Sequence, residues 1–314
     1  MRYILPVIIL LFSFISACSK DKRSNRAGNK MQEFIIDISE YAKSKRSDFA
    51  IIPQNGAELL FWNLDDQDKL DDRFIKAIDG VGIEELFYNG EFAPDNYRLM
   101  MLLQAKERIP VFVADYLNAD TDYNQAVTYN TDAGFVAFPR LSTNYDYIQI
   151  PDSIHHENAL NVTTTVAAQN YLYLISTGGF TDKSAYLAAI QQTNFDLVII
   201  DAFYGDEILT SAEVNSLKTK ANGAQRMVIA YMSVGSAEKY RYYWKEDWKL
   251  HKPKWLAKEY AGYSDEIWVK FWKKDWESII YGNENSYTKR IIDAGFDGAY
   301  LDNVEAFYFL YFDD

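Results

Sequence analysis

The sequence predicts an α/β fold, most simply a single-domain (β/α)8 TIM barrel, on three observations. Short runs of β-branched and aromatic residues alternate with helix-like patterns about eight times along 314 residues. The runs are mostly apolar on both faces, which is how parallel strands covered by helices read. No Gly-rich phosphate turn opens a helix, which counts against the alternative, an open doubly wound sheet. Gly80-Val81-Gly82 lacks a third glycine and lies inside a strand pattern.

Taken in order, the chain starts with Met1-Arg2, an apolar run over residues 4–15 and then Ser16-Ala17-Cys18. A basic start, a short apolar run and small residues make a secretory signal, too short for a stable membrane span. ISAC at residues 15–18 resembles the bacterial lipobox, which implies a signal peptide over residues 1–18 and a lipid on Cys18. Residues 19–30 are polar, lack hydrophobic periodicity and predict a flexible tether. The barrel domain is expected over residues 31–314. It opens with a helix over 31–46, where Phe34, Ile35, Ile38, Tyr41 and Ala42 sit at helical spacing. Strands are expected at 50–53, 77–86, 111–115, 135–138, 171–175, 197–201, 227–232, 267–271 and 298–302, with further helices over 182–193 and 211–221. A barrel strand needs an outer helix before the next strand. Helix 31–46 is therefore expected to cover the strand ending at Asp302, with the two ends of the domain side by side.

Composition narrows the function. With 48% hydrophobic and 16% aromatic residues, the chain is too apolar for disorder and can bury a large core. Its 45 acids against 32 bases argue against nucleic-acid binding, which needs a basic stripe. A single cysteine excludes a disulfide framework, and His155-His156 are adjacent rather than one helical turn apart, so no metal site is expected. Residues 1–30 hold six bases and one acid, which leaves the body strongly acidic. That suits a cationic or neutral ligand, although a solvated acidic surface is the commoner reason for such a charge.

Acids recur at the expected strand ends: Glu84, Asp115, Asp201 and Asp302, with Glu238 just past a turn at Gly235. In a barrel these ends share one mouth. Crowded carboxylates repel, which raises some pKa values and separates acid from base roles. Gln54, Asn55, Tyr116, Tyr231, Tyr240, Arg241, Tyr243, Trp244, Lys270 and Trp272 are expected at the same rim. Aromatic faces stack on sugar rings while amides and acids bond hydroxyls. Paired carboxylates between aromatic walls can hydrolyse a glycosidic bond with water alone, without metal or organic cofactor. Other readings stay open: Asp115 as a helix cap, Asp297 as a turn residue, and Glu85 pointing away from Glu84.

The segments FAIIPQNGAELL, IDGVGIEELFY, FDLVIIDAF, RMVIAYMSVGSAEKYRYYW and GFDGAYLDNVEAF resemble glycoside hydrolase family 114, the endo-α-1,4-polygalactosaminidase group, over about residues 31–310. The resemblance implies a (β/α)8 barrel and cleavage inside partly deacetylated galactosamine polymers. In the fungal order the QNG and GIE segments come last, so this chain resembles a circular permutation. The resemblance implies Asp302 as nucleophile or cation stabiliser, Glu84 as the acid, and Asp201 as a third carboxylate. Members of the family read GEAE where this chain has Gly235-Ser236-Ala237-Glu238, which puts a hydroxyl, Ser236, in place of a carboxylate beside Glu238 and Arg241. The expected protein is a monomeric, lipid-anchored hydrolase of the bacterial cell envelope acting on an amino-sugar polysaccharide. Its rivals are a non-catalytic glycan-binding lipoprotein and, more distantly, a structural envelope protein.

Overall fold

A computed structural model describes residues 5–312, with side chains from residue 20 onward. Eight strands run parallel: β1 (Ala50–Pro53), β2 (Val81–Gly90), β3 (Val111–Leu117), β4 (Val136–Ala137), β5 (Tyr171–Leu174), β6 (Leu197–Asp201), β7 (Met227–Ser233) and β8 (Gly298–Asp302). Every residue of β1, β3, β5 and β7 is buried, as strands flanked by helices require.

Strands β5, β6, β7, β8 and β1 form one sheet in that order, and β2, β3 and β4 a second. A parallel bridge between Gln54 and Gly82 links the end of β1 to β2. A side chain at Gly82 would run into the Tyr300 phenol, so glycine is needed there. The last strand pairs with the first, Ala50 opposite Gly298 through Pro53 opposite Leu301, which brings the two ends of the domain together as expected. Among the described residues no pairing joins β4 to β5, so hydrogen bonds do not close a barrel. Rings occupy that seam instead, with Phe112 and Phe138 each 5.3 Å from Tyr171.

Helices α2 (Asp72–Ala77), α3 (Asn96–Ala105), α4 (Tyr123–Ala133), α5 (Lys183–Gln191) and α6 (Ser211–Leu217) follow strands β1, β2, β3, β5 and β6. Each begins where Asp71, Asp95, Asp122, Asp182 or Thr210 accepts an otherwise unpaired backbone N–H. After β7 come α7 (Lys274–Ile280) and α8 (Tyr287–Asp293), and after β8 the short α9 (Ala306–Phe309).

Two expectations need correction. The helix expected at 31–46 is the end of a longer one, α1 (Leu5–Lys45), so residues 19–30 are not a flexible tether. Ser24 and Ala27 are buried two turns and one turn before Met31, and the Ser24 hydroxyl donates to the Phe307 carbonyl of α9 at 3.1 Å. Small residues contact their neighbours without a hydrophobic signal, which is why composition misses them. Cys18 lies outside the residues whose side chains are described, and among the described residues no helix is long and apolar enough to cross a membrane. The apolar run at 267–271 is also not a barrel strand. Glu266–Val269 pairs antiparallel between Ser236–Glu238 and Leu256–Glu259, in an insertion that follows β7. A buried four-residue run carries no mark of the direction of its partner.

Candidate active site

The ends of β1, β2, β6, β7 and β8 contribute residues to one cavity of about 950 Å³. Glu84 from β2 and Asp302 from β8, 218 positions apart, both line it. Their surroundings differ. Glu84 is met by donors: the Tyr116 and Tyr147 phenols both bond its Oε1, and the Asn55 amide reaches Oε2 at 3.4 Å. Asn55 also accepts the Glu84 backbone N–H at 3.1 Å, so one side chain sets both the strand end and the carboxylate.

Asp302 accepts from the Tyr231 phenol at 2.6 Å and from the Asn303 backbone N–H at 2.7 Å. Burial, and then the Glu84 charge beside it, push its carboxyl up to about 7 despite those two donors. Burial thus favours the neutral form of Asp302, whereas the sequence resemblance implies an ionised Asp302 with Glu84 as the acid.

Three corners of the mouth hold non-glycine residues in the left-handed region: Asn55 (φ 62°), Glu85 (φ 52°) and Asn303 (φ 61°). Arg98 of α3, anchored on Asp95 at 2.8 Å, donates to the carbonyls of Glu84 and Glu85 at 2.9 and 2.8 Å and holds the second corner. The kink breaks strand alternation, so Glu85 lines the same cavity as Glu84 rather than pointing away. Gly235 faces the third corner, where a side chain would run into the Asn303 carbonyl.

Asp201 and Arg241 line the cavity as a bidentate pair, both oxygens at 2.8 Å. Glu238 is wholly buried behind them and bonds Arg241 at 2.7 and 3.0 Å and the Tyr240 phenol at 2.8 Å. It fixes Arg241 and does not face the cavity. Ser236 is likewise buried, donating to Glu266.

Other expected site residues lie elsewhere. Gln54 is buried below the mouth and accepts from Tyr173 at 2.9 Å. Tyr116 is buried and supports Glu84 from behind. Asp115 neither caps a helix nor lines the cavity. It accepts the Phe87 and Tyr88 N–H groups at 2.8 and 3.1 Å and the Asn130 amide at 2.7 Å, bracing the irregular half of β2. Lys270 and Trp272 do not line the cavity, because their segment leaves the inserted sheet toward α1, where Lys30 sits 4.5 Å over the Trp272 ring.

Sequence reasoning missed several contributors, among them Arg98, Asn303, Tyr260 and four more. Tyr145 and Tyr147 come from the connection between β4 and β5, a long irregular segment with one short 3-10 turn at Thr165–Ala167, of the kind that often carries function. Glu305 lies in the turn before α9, and Glu266 starts a strand rather than ending one. Burial pushes each of these two carboxyls up to about 8. In all, seven acids and two arginines line the cavity. Among the described residues no group of three His, Cys, Asp or Glu is arranged to hold a metal ion.

Comparison with known proteins agrees with this chemistry. Residues 156–313 match the profile of glycoside-hydrolase family GH114. An uncharacterised protein of Thermotoga maritima is 35% identical over 139 residues, 44% of this chain and 39% of its own length. One of Methanocaldococcus jannaschii is 36% identical over 151 residues, 48% of this chain and 41% of its own. One of Deinococcus radiodurans is 35% identical over 121 residues, 38% and 37%. The chain thus spans about two fifths of the length of these relatives. On the family match, which covers half of its residues, the chain belongs to glycoside-hydrolase family GH114.

Proposed function

We propose that the cavity is the active site of an endo-acting glycoside hydrolase that cuts an amino-sugar polysaccharide of the galactosamine type. The observation that carries this reading is the placement of Glu84 and Asp302 in one cavity with opposite surroundings. A carboxyl raised to about 7 is about half protonated at neutral pH and can protonate a leaving oxygen, and a carboxylate facing donors can meet the positive charge that develops on the sugar. Asp302 is then the acid. Glu84 is the nucleophile if the carboxyl separation is about 5–5.5 Å, or the base that activates water if it is roughly 6.5–9.5 Å. Asp201, Tyr231 and Asn55 hold the sugar on either side.

The amino-sugar assignment draws support from the lining. Both arginines are committed, Arg241 to Asp201 and Glu238 and Arg98 to Asp95 and two carbonyls, so the remaining acids face a substrate that brings its own positive charge. We also read the eight parallel strands as a circularly permuted (β/α)8 barrel. The family match begins at residue 156, ahead of β5, while Asn55 and Glu84 lie in the half before it, and β8 pairs with β1. A lipid on Cys18 would hold the enzyme, as a monomer, at the cell envelope.

The test is release of reducing ends from a partly deacetylated galactosamine polymer. Wild type is expected to release oligomers, and Asp302→Asn and Glu84→Gln to release almost none. Polymer binding without cleavage by wild type would favour a glycan-binding protein over an enzyme.

A further inference from the structure

Glu266 has no part in the pair just described, yet it lines the same cavity. It begins the middle strand of the inserted antiparallel sheet, opposite Glu238 in register. Its position is fixed by a relay of side chains. The Tyr260 phenol, stacked on Trp268 at 4.1 Å, donates to Asn303 Oδ1 at 3.1 Å. Asn303 Nδ2 donates to the hydroxyls of Ser233 and Ser236 at 2.9 and 3.1 Å, and the Ser236 hydroxyl donates to Glu266 Oε2. All of this ends on Oε2. Among the described residues nothing donates to Oε1, and no cation pairs with the carboxyl.

The groups packed around Glu266 explain why it lacks a partner within the protein. Glu238 and Asp302 are acidic neighbours, and the phenols of Tyr231, Tyr240, Tyr243, Tyr260 and Tyr263 complete its surroundings. Arg241 is the nearby cation, but its donors end on Asp201 and Glu238. Such an oriented carboxyl, half open to a cavity and without a counter-ion, fits a ligand that supplies one.

We infer that Glu266 is the residue that selects a charged sugar here: its Oε1 binds the ammonium group of an amino-sugar unit next to the bond addressed by Asp302 and Glu84. The inference rests on the glycoside-hydrolase reading and assigns the substrate preference to one side chain. Burial, and then the charge of Glu238, push Glu266 up to about 8, so at neutral pH it is mostly protonated before substrate arrives. Capture of an ammonium then ionises the carboxyl and releases its proton to solvent. An N-acetylated sugar, with no charge to offer, releases none. Ser236 is a positioning residue that acts through Glu266.

The experiment is calorimetric titration at pH 7 of the full chain carrying Asp302→Asn and Glu305→Gln, which halts turnover and removes the other two cavity carboxyls raised to about 7 and 8. The titrants are a galactosamine tetramer and its fully N-acetylated counterpart, in two buffers of different ionisation heat. The free-amine tetramer is expected to bind about tenfold or more tightly than the acetylated one, the effect of one charge-assisted hydrogen bond, with net proton release. Adding Glu266→Gln is expected to bring the two affinities within about twofold and abolish the release, with the melting temperature kept. Adding Ser236→Ala should weaken the preference in part. If Glu266→Gln disturbs folding, Glu266→Asp, which keeps the charge and shortens its reach, should reduce the preference and retain proton release. A preference unchanged in Glu266→Gln would overturn the inference and leave the hydrolase reading intact. A chain that binds neither tetramer would overturn both.

Discussion

The two ends of the parallel strands treat their acids in opposite ways. At the N-terminal ends every acid considered has a cation: Asp79 meets Lys43 at 2.9 Å, and Asp297 meets Lys218 at 2.6 Å and Arg46 at 2.9 Å. Asp196 meets Lys220 at 2.5 Å with both side chains wholly buried. Asp196 also accepts from the Gln169 N–H and the Asn158 and Asn170 amides, so its charge is fully compensated. At the C-terminal ends Glu84 and Asp302, joined in the cavity by Glu266 of the inserted sheet, have hydroxyl and amide donors, and among the described residues none of the three forms an ion pair. One end uses acids to fix the fold. The other pairs Asp201 with Arg241 but leaves Glu84, Asp302 and Glu266 without a counter-ion, and at Asp302 and Glu266 the cost appears as raised pKa values, a common mark of a working site.

Mutations at the two ends should therefore separate activity from stability. The largest effect is expected for Asp302→Asn and Glu84→Gln. Each should lower kcat by about a hundredfold to ten-thousandfold with little change in melting temperature, measured by reducing-end release and calorimetry. Next comes Lys220→Ala at the opposite end, which leaves Asp196 charged, buried and alone. It should cost about 3–5 kcal/mol of stability in urea unfolding while the KM of the surviving enzyme stays at the wild-type value.

A smaller effect follows from pH. The folded values of Asp302, Glu266 and Glu305, at about 7, 8 and 8, lie above their ordinary values of 3.8, 4.5 and 4.5. The folded state therefore binds more protons than the unfolded state between these limits, and stability falls as pH rises through that window. The melting temperature should be higher at pH 5 than at pH 8, and Glu305→Gln should flatten the slope. The smallest effect sharpens the boundary of the mouth. Trp272→Ala and Lys270→Ala should change oligosaccharide affinity by less than about twofold, as residues outside the cavity do.

How much of this the sequence discloses follows from the kind of signal each part carries. Eight of the nine expected strands are found as parallel strands because a buried run of β-branched residues is a local property. The adjacency of β1 and β8 also follows from counting helices against strands. Glu84, Asp201 and Asp302 are legible because a strand end in a repeating α/β fold has a known destination. Glu266, Tyr145 and Tyr147 are not, since an insertion and a long irregular connection place them, and neither has a period. Glu85 is misread for a related reason: alternation holds until a left-handed corner interrupts it, and Arg98, the residue that braces the corner, is thirteen positions away. Asp115 looks the same as Asp201 in sequence. Only the N–H groups of Phe87 and Tyr88 on the neighbouring strand turn it into a brace.

The central claim is that burial, and then the charge of Glu84, keep a proton on Asp302 so that Asp302 can give it to a leaving sugar. The pH dependence of kcat/KM on a galactosamine oligomer tests it most directly. The account predicts a rate that falls above about pH 7 as Asp302 loses its proton. A rate that stays level or climbs from pH 6 to pH 9 would contradict it.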